Sequence, residues 1–367
     1  MSSKNIDVLH VSSLHSPRDN RIHYKECLSI RNEGYHIAAL IKSDQNQVID
    51  GIEQIALRPY NGRLSRFLLG NIEVFRKCLK IKPRLMHFHD PELIPSALLI
   101  RLTGIKVIYD LHEDLPRQLL AKKWIPFFLR HPISWLVSLV EGLSAFFFNG
   151  IIGATEDISK RFHSSKAITL RNLPLLSYRK AKDANSSGAI RLIYAGGLTE
   201  LRGIKECIMA MSLLKEEAEL ILIGSWESEA YKQECMASAG FEKCKYLGHL
   251  TMEEVYQEIA NADIGLAMLY PLKNYLRSLP VKAFEYMLHA KPILMSDFPY
   301  WKETFSEYAL FAPAQDSKSM ARALDKLIQD ETLRMQLSSA SLKATNETLN
   351  WETESTKLLN LYKSILE

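Results

Sequence analysis

Residues 274–297 read NYLRSLPVKAFEYMLHAKPILMSD, a polar loop followed by a short amphipathic pattern and then an apolar run. Pro280 suits the first turn of a helix because its missing N–H costs nothing there, and Ser278 can accept a bond from an unsatisfied backbone N–H. We therefore expect a helix that begins near Leu279 and leads into a buried strand. That order places a helix N-terminus beside the loop, where a ligand can bind.

The pattern within this helix separates an apolar stripe from two charged residues. The stripe consists of Ala283, Phe284, Met287 and Leu288. Lys282 and Glu285 are left to approach whatever lies in front of the loop. A cation beside a carboxylate suggests a phosphorylated ligand rich in hydroxyl groups. The alternative, an ordinary crossover helix with both charges in solvent, stays open from this window alone.

Length and composition predict a folded protein with two domains. With 367 residues, 47% hydrophobic and 24% charged, the chain can form two cores of about 150 to 200 residues each. Its net charge of +4 is mildly basic, which helps at an anionic membrane surface but falls short of a nucleic-acid-binding protein. We therefore expect no nucleic-acid partner.

The cysteines and the apolar runs predict a cytoplasmic location. The five cysteines are scattered and lack the paired spacing that holds zinc, which fits a reducing compartment. They are Cys27, Cys78, Cys207, Cys235 and Cys244. The segment MSSKNIDVLH has no apolar signal core, and the run 133–152 is interrupted by Glu141 and Asn149. We expect no cleaved signal and no transmembrane helix.

The first half opens as a parallel α/β sheet. Residues 6–12 are predicted to form a buried strand, followed by the loop HSPRDN, a helix ending at Gly34 and a second strand over 35–41. Ligands bind such sheets beyond the carboxyl ends of the strands. The loop from His15 to Arg21 lies at that edge.

Two later strands also end in polar residues. RLMHFHDPELIP ends its strand at His89 and Asp90, and IKVIYDLHED ends its strand at Asp110, His112 and Glu113. Polar side chains are therefore expected to cluster where three strands emerge. Asp and His at strand ends also cap following helices, and this is the preferred interpretation for Asp90, which precedes a proline. For His112 we prefer a site residue.

Residues 117–149 combine aromatic residues with cations, which is typical of a membrane interface. The segment 117–131, with Lys122 and Arg130 among its aromatic residues, is the predicted membrane contact. It would place the protein peripherally on the cytoplasmic face of the inner membrane. The alternative is that the aromatic residues pack on the domain's own sheet, and we prefer this for 137–148.

The order of strand, loop and helix seen in the first half starts again after a polar, Ser/Gly-rich linker. A strand from Ile190 ends at Gly196 and Gly197, which permit close backbone approach, and Arg202 supplies a cation for a phosphate. A tight turn with a solvated arginine is the alternative. Further apolar runs, one of them ending at Gly224 and Ser225, predict a second doubly wound domain. The predicted boundaries are 1–175, a linker over 176–189, 190–345 and a last helix over 346–367.

Five motifs in order resemble retaining glycosyltransferases of family 4, in the bacterial branch that builds cell-surface polysaccharides. They are HSPRDNRIHYKE, HFHDPELIP, YDLHED, YAGGLTELRG and LPVKAFEYMLHAKP. The resemblance implies an α/β GT-B fold, in which two Rossmann-like domains face each other across a cleft. The first domain would bind a lipid-linked or saccharide acceptor and the second a UDP- or GDP-linked sugar. The last helix would cross back to the first domain.

The resemblance also implies roles for individual residues. Glu285 matches the carboxylate that binds the ribose, Arg202 the cation at the diphosphate, and His112 the histidine beside the donor sugar. Lys282 fits a phosphate-binding position, and we group it with His112 and Arg202 as catalytic. The other expected donor-side residues are Gly196, Gly197, Gly224, Ser225 and Ser278. The expected acceptor-side residues are His15, Asp19, Arg21, Asp90 and Glu113.

Three positions depart from the family pattern. Arg277 replaces the first glutamate of the usual pair, Gly197 replaces a common arginine, and Ala290 replaces the usual glycine after the Glu285 helix. The identity of the transferred sugar therefore stays open. Because the sequence has no Asp-x-Asp triplet, we expect no metal and no cofactor in the transfer. Alternatives are a non-catalytic nucleotide-binding partner protein and, less favoured, a GT-B epimerase or sugar phosphorylase.

Overall fold

The computed structural model describes residues 6–122, 124–163, 165–183, 189–273 and 275–367. Outside these ranges lie part of the predicted linker, 184–188, and also Lys123 of the segment 117–131 and Asn274 of the stretch 274–297. The chain forms two compact units: residues 1–172 with 354–367, and residues 173–353. Each unit contains one β-sheet, and the fold is GT-B with two Rossmann-like α/β units.

The sheet of the first unit has eight strands in the order β3-β4-β2-β1-β5-β6-β7-β8. All neighbours are parallel except β3 and β4. The strands are β1 (Val8–Ser12), β2 (Ile37–Lys42), β3 (Gln47–Ile49), β4 (Ile52–Leu57), β5 (Leu85–Phe88), β6 (Lys106–Leu111), β7 (Gly150–Gly153) and β8 (Ala167–Thr169). β1 and β5 are buried along their whole length, as expected of central parallel strands.

The β3–β4 hairpin was not predicted. Its turn is Asp50-Gly51, with φ of 48° and 75°, and this dipeptide favours the turn that joins two antiparallel strands. The flanking strands are short and partly polar, so their periodicity is weak. The Asp-Gly pair was the available signal.

Helices cover the faces of the first sheet and bury a core against it. The helices of the described residues here are α1 (Leu28–Asn32), α2 (Arg63–Ser65), α3 (Asn71–Ile81), α4 (Ile94–Leu102), α5 (Leu115–Ala121), α6 (Phe127–Phe147) and α7 (Glu156–Ser159). Residues Asn20–Cys27, just before α1, form π-helical turns. Asp19 caps them by accepting bonds from two backbone N–H groups, each at 2.9 Å, which fixes the path of the first loop.

The sheet of the second unit is fully parallel, in the order β11-β10-β9-β12-β13-β14. Its strands are β9 (Ile190–Ala195), β10 (Ala218–Ile223), β11 (Cys244–Gly248), β12 (Ile264–Ala267), β13 (Ile293–Ser296) and β14 (Ala309–Ala312). The described helices that follow α7 are α8 (Ile204–Ser212), α9 (Glu229–Met236), α10 (Met252–Asn261), α11 (Val281–Leu288), α12 (Pro299–Phe305), α13 (Ser317–Gln329), α14 (Glu331–Glu347) and α15 (Trp351–Leu366). Residues of α15 from Glu354 onward belong to the first unit.

Helix α11 confirms the amphipathic pattern and corrects its start. The four residues of the apolar stripe are buried. The helix begins at Val281 rather than Leu279, and Pro280 is its N-cap, with extended backbone angles. The Ser278 hydroxyl donates to the Tyr275 carbonyl at 2.9 Å instead of capping the helix. Ala290 lies just after α11 with a φ of +54°, a conformation in which glycine is favoured.

None of the helices in the described part of the chain combines the length and apolarity needed to cross a bilayer. Helix α6 nonetheless exposes much of its apolar surface. Phe127 is 78% exposed and Phe146 72%, whereas Ala145 is buried and Glu141 is paired with Arg161. Only part of the 137–148 segment therefore packs on the domain itself.

Candidate functional site

The glycine loop after β9 brings two cations to one point of the backbone. A methyl group built on Gly196 would lie 3.0 Å from both Nη1 of Arg202 and Nζ of Lys282. The Arg202 guanidinium also donates to the Gly197 carbonyl at 3.3 Å. We call these residues, together with Tyr194, the cation pair site. In it, Gly196, Gly197 and Arg202 lie close to Lys282, although the chain separates them by up to 86 residues.

Lys282 is held in an environment that disfavours its charge. Its Nζ is buried without a hydrogen-bond partner and lies 3.6 Å from the centroid of the Tyr194 ring. Burial, followed by the neighbouring Arg202, lowers the pKa of Lys282 well below its usual value, and Glu285 only partly opposes this. A second cation and an aromatic face are poor substitutes for an anion. The site is therefore electrostatically incomplete until an anion binds.

Glu285 lies one turn along the same helix and faces the same side as Lys282. It is half-buried, and its Oε1 accepts a bond from the Tyr256 hydroxyl at 3.3 Å. A carboxylate so placed can accept hydrogen bonds from ligand hydroxyl groups. Lys282 and Glu285 thus share one helix, whereas Arg202 comes from the turn before α8.

Gly224, at the end of β10, allows the neighbouring loop to approach. Its φ is +131°, and a Cβ there would collide with the Gly196 carbonyl. Ser225 is exposed, and its carbonyl accepts the Leu198 N–H at 2.8 Å. The backbone at 224–225 therefore supports the glycine loop. Any side chain larger than hydrogen at Gly224 would prevent this close approach of the two loops.

Two aromatic residues next to this loop were not predicted. Trp226 and Tyr246 have ring centroids 5.6 Å apart, and the Tyr246 hydroxyl donates to the Gly224 carbonyl at 3.0 Å. The Trp226 indole N–H is buried without a partner. A tryptophan directly after a Gly-Ser strand end was the available signal. Arg277, the departure from the family pattern, lies with its guanidinium 5.1 Å from the Tyr300 ring.

In the first unit, Arg21 forms the centre of a buried ion network. Its guanidinium lies 2.8 Å from Glu26 and 2.9 Å from Asp110, and it also donates to the Leu170 carbonyl. All three ionic side chains are at most 5% exposed. Burial raises the pKa of Asp110, but Arg21 and then His112 outweigh it and hold that pKa well below its usual value.

This geometry corrects the role expected for Arg21. A guanidinium that is buried and bonded to two carboxylates cannot reach an acceptor without breaking those ion pairs, so its role is internal. Asp19 likewise uses its carboxylate to cap the π-helical segment. Glu113 is exposed and accepts a bond from Gln118. Its acceptor-side role remains a prediction.

Asp90 does not cap the helix that follows it. Its Oδ2 instead accepts bonds from the Ser12 hydroxyl at 2.9 Å and the Ser13 N–H at 2.6 Å, and the Asp90 side chain makes no cap bond. The carboxylate reaches back to β1, which tightens the edge of the sheet. His15 lies 3.6 Å from Asp90. Burial lowers the pKa of His15, but Asp90 more than compensates and the net shift is upward.

His112 lies at the same edge, half-buried. Its Nε2 is 3.1 Å from Oδ2 of Asp110 and 3.1 Å from Nδ1 of His89. Its ring centroid is 5.0 Å from that of His15. Three of the predicted residues, His15, Asp90 and His112, thus gather where β1, β5 and β6 end. A partly exposed imidazole held by a carboxylate can present its other face to a ligand.

Three further histidines are buried near this edge; His89 was expected in the polar cluster at the strand ends, whereas His10 and His87 were not predicted. His10, His87 and His89 are at most 3% exposed, and the first two lie beside Tyr362 of α15. Burial, then neighbouring imidazoles, lower the pKa of His10 and His87 well below the usual value. Burial lowers the pKa of His89 to about 4. These rings are therefore neutral near pH 7.

The second unit matches a known family. Residues 179–344, somewhat less than half of the chain, match the model of the family described as Glycosyl transferases group 1. This range includes the cation pair site and Glu285. Among curated proteins, none matches the chain significantly.

Solved structures match nearly the whole chain. Sucrose-phosphate synthase from Thermosynechococcus elongatus is 16% identical, with 98% of each chain covered and a TM-score of 0.76. The Anabaena protein HepE, solved with UDP and glucose, is 12% identical over 97% of this chain and 99% of its own, with a TM-score of 0.76. A UDP-forming α,α-trehalose-phosphate synthase from Burkholderia xenovorans is 13% identical over 98% and 99%, with a TM-score of 0.70. The shared fold and the family match together support a GT-B glycosyltransferase.

Proposed function

We propose that the protein is a retaining glycosyltransferase of family 4 that transfers a sugar from a UDP- or GDP-linked donor to a lipid-linked or oligosaccharide acceptor in cell-surface polysaccharide synthesis. The observation that carries the proposal is the cation pair site. A buried lysine without a hydrogen-bond partner, beside an arginine and a glycine loop, suits the diphosphate of a nucleotide sugar. The solved structure that contains UDP and the neighbour named as a UDP-forming enzyme favour UDP over GDP.

In the proposed reaction, negative charge develops on the departing diphosphate. Arg202 and Lys282 are already positioned around Gly196 and stabilise that charge without rearranging. A diphosphate also removes the electrostatic cost of placing two cations together, so donor binding is expected to raise the pKa of Lys282. Glu285 holds the ribose. A leaving phosphate oxygen accepts the proton of the acceptor hydroxyl, and the absence of an Asp-x-Asp triplet from the sequence favours a reaction without a metal.

A transfer assay tests this proposal. The purified protein is incubated with a panel of radiolabelled nucleotide sugars and with undecaprenyl-linked and oligosaccharide acceptors, and labelled products are separated. Transfer of one sugar is expected. Binding of a nucleotide without any transfer would favour the alternative, a non-catalytic nucleotide-binding partner protein, which Arg277 and Gly197 motivate because they replace family residues.

A lipid-linked acceptor would require contact with a membrane, for which α6 offers a surface. We call the exposed apolar side chains of 124–147 the apolar surface: Trp124, Phe127, Phe128, Leu129, Trp135, Leu136, Leu139, Val140, Leu143, Phe146 and Phe147, each at least 40% exposed. Arg63 lies over the Trp124 ring at 4.5 Å. Aromatic residues with nearby cations suit the headgroup region of an anionic bilayer. The proposed contact thus extends beyond 117–131.

Replacing Phe127, Phe128 and Trp135 with serine is expected to reduce binding to anionic phospholipid vesicles at least about tenfold, because each buried aromatic side chain contributes roughly 1.5 to 3 kcal/mol. Co-sedimentation measures the bound fraction. Met335→Ser, at a 65% exposed position of the second unit, is the control and should bind like the wild type. Equal vesicle binding by the triple variant and the wild type would contradict the proposed contact.

A further inference from the structure

Four buried side chains of the first unit converge on one point. His10 of β1 lies opposite His87 of β5 in the parallel register, and His89 points to the same face two residues later. Glu26, from the π-helical segment, completes the group. All four are at most 3% exposed, and one ligand atom of each lies within 4.8 Å of the others. We propose that these residues bind a divalent transition metal ion, with Zn²⁺ the best match.

The distances fit a metal ion of this size. Nδ1 of His10 and Nε2 of His89 are 3.0 Å apart, and they lie 3.9 and 4.0 Å from Oε2 of Glu26. The point equidistant from the corners of such a triangle is about 2.1 Å from each, which is the usual Zn–N and Zn–O bond length. Nε2 of His87 is the natural fourth ligand. Three imidazoles and one carboxylate are a donor set that Zn²⁺ favours.

The atoms on the far side of each ligand are already engaged, as they are in metal sites. Nδ1 of His89 lies 3.3 Å from the Asp110 carboxylate. Nδ1 of His87 and Nε2 of His10 lie 2.6 and 3.3 Å from the Tyr362 hydroxyl. Oε1 of Glu26 accepts a bond from Arg21 at 2.8 Å. These contacts orient the rings, and a bound ion would replace the hydrogen bond that Nδ1 of His10 and Nε2 of His89 share.

Two of the four inward atoms have no hydrogen-bond partner. They are Oε2 of Glu26 and Nε2 of His87. A buried polar atom left unsatisfied costs free energy that a bound cation removes. An ordinary hydrogen-bonded histidine network would account for His10 and His89 but leaves these two atoms unexplained.

With four protein ligands and no access to solvent, the site is structural rather than catalytic. The ion would join β1, β5 and the π-helical segment, and through Tyr362 it would hold α15 against them. Metal binding would therefore stabilise the first unit, including the end of the chain.

Elemental analysis of the full-length, tag-free protein tests the proposal. Because the site is buried, Zn²⁺ is supplied during expression, and loosely bound metal is removed by gel filtration with a chelator. About one Zn²⁺ per chain is expected for the wild type, and at least roughly tenfold less for Glu26→Gln and His89→Asn. His163→Asn, at an exposed position, is the matched control and should retain the metal.

Expression with Co²⁺ gives an independent measurement that does not need the variants to fold. Tetrahedral Co²⁺ bound by nitrogen and oxygen should give visible absorption bands, and the melting temperature of the metal-loaded wild type should exceed that of chelator-stripped protein. Less than about 0.1 metal ion per wild-type chain together with no cobalt bands would overturn the proposal. Retention of Zn²⁺ by well-folded Glu26→Gln and His89→Asn would also overturn it.

Discussion

Arg202→Ala is expected to lower turnover by roughly 100- to 1,000-fold, while its affinity for the nucleotide sugar changes far less. The reason is that negative charge grows on the diphosphate only as the sugar leaves. Arg202 shares the position around Gly196 with Lys282, so one cation remains to hold the ground-state phosphates. Steady-state kinetics with the donor found in the transfer assay, combined with calorimetric titration of the same donor, separates turnover from binding.

Glu285→Ala provides the contrasting case. It should weaken donor binding by about 1 to 3 kcal/mol, since a charged hydrogen bond to a ligand hydroxyl is lost, and its turnover at saturating donor should change less. Arg322→Ala removes an exposed arginine of the same unit and serves as the control. If Arg202→Ala and Glu285→Ala both bind and turn over like the wild type, the donor site lies elsewhere.

Arg21→Ala is expected to destabilise the first unit by about 3 to 5 kcal/mol, because it leaves two carboxylates buried without their cation. The side chains of Glu26 and Asp110 have no exposed surface, so in the wild type the guanidinium rather than solvent stabilises them. The two units need not unfold together, so hydrogen exchange should be followed separately in β6 of the first unit and β9 of the second. Faster exchange is expected in β6 only.

Arg84→Ala is the matched control for this variant. Arg84 is 53% exposed and lies 3.3 Å from Asp7, and an exposed ion pair contributes about 0 to 1 kcal/mol. Arg21→Lys should restore only part of the protection, because an ammonium group cannot bond both carboxylates as the guanidinium does. Equal protection of β6 in Arg21→Ala and Arg84→Ala would show that the network contributes little.

The sequence predicted the fold well where local patterns determine it. Short apolar runs such as β12 and β13 identify buried parallel strands, and the glycine pair after β9 marks a strand end. The start of α11 was misplaced by two residues because Pro280 fits both the first turn and the N-cap position. The β3–β4 hairpin was missed because its strands are short, although Asp50-Gly51 signalled the turn.

The sequence could not indicate contacts between residues that are far apart in the chain. Arg21 stands in a polar loop and suggested a ligand contact, yet its carboxylate partner Asp110 is 89 residues away. His87 meets Tyr362 across 275 residues. His10 and His87 therefore had no local signature, whereas Lys282 and Glu285 were identified because one helix carries both.

The central claim is that the cation pair site binds the diphosphate of a nucleotide. Calorimetric titration of UDP and GDP into the wild type and into Lys282→Met tests it most directly. At least one of the two nucleotides should bind the wild type at one site per chain, with affinity reduced at least roughly tenfold in Lys282→Met because a charged contact to phosphate is lost. No binding of either nucleotide to the wild type, or equal affinity in Lys282→Met, would contradict the claim.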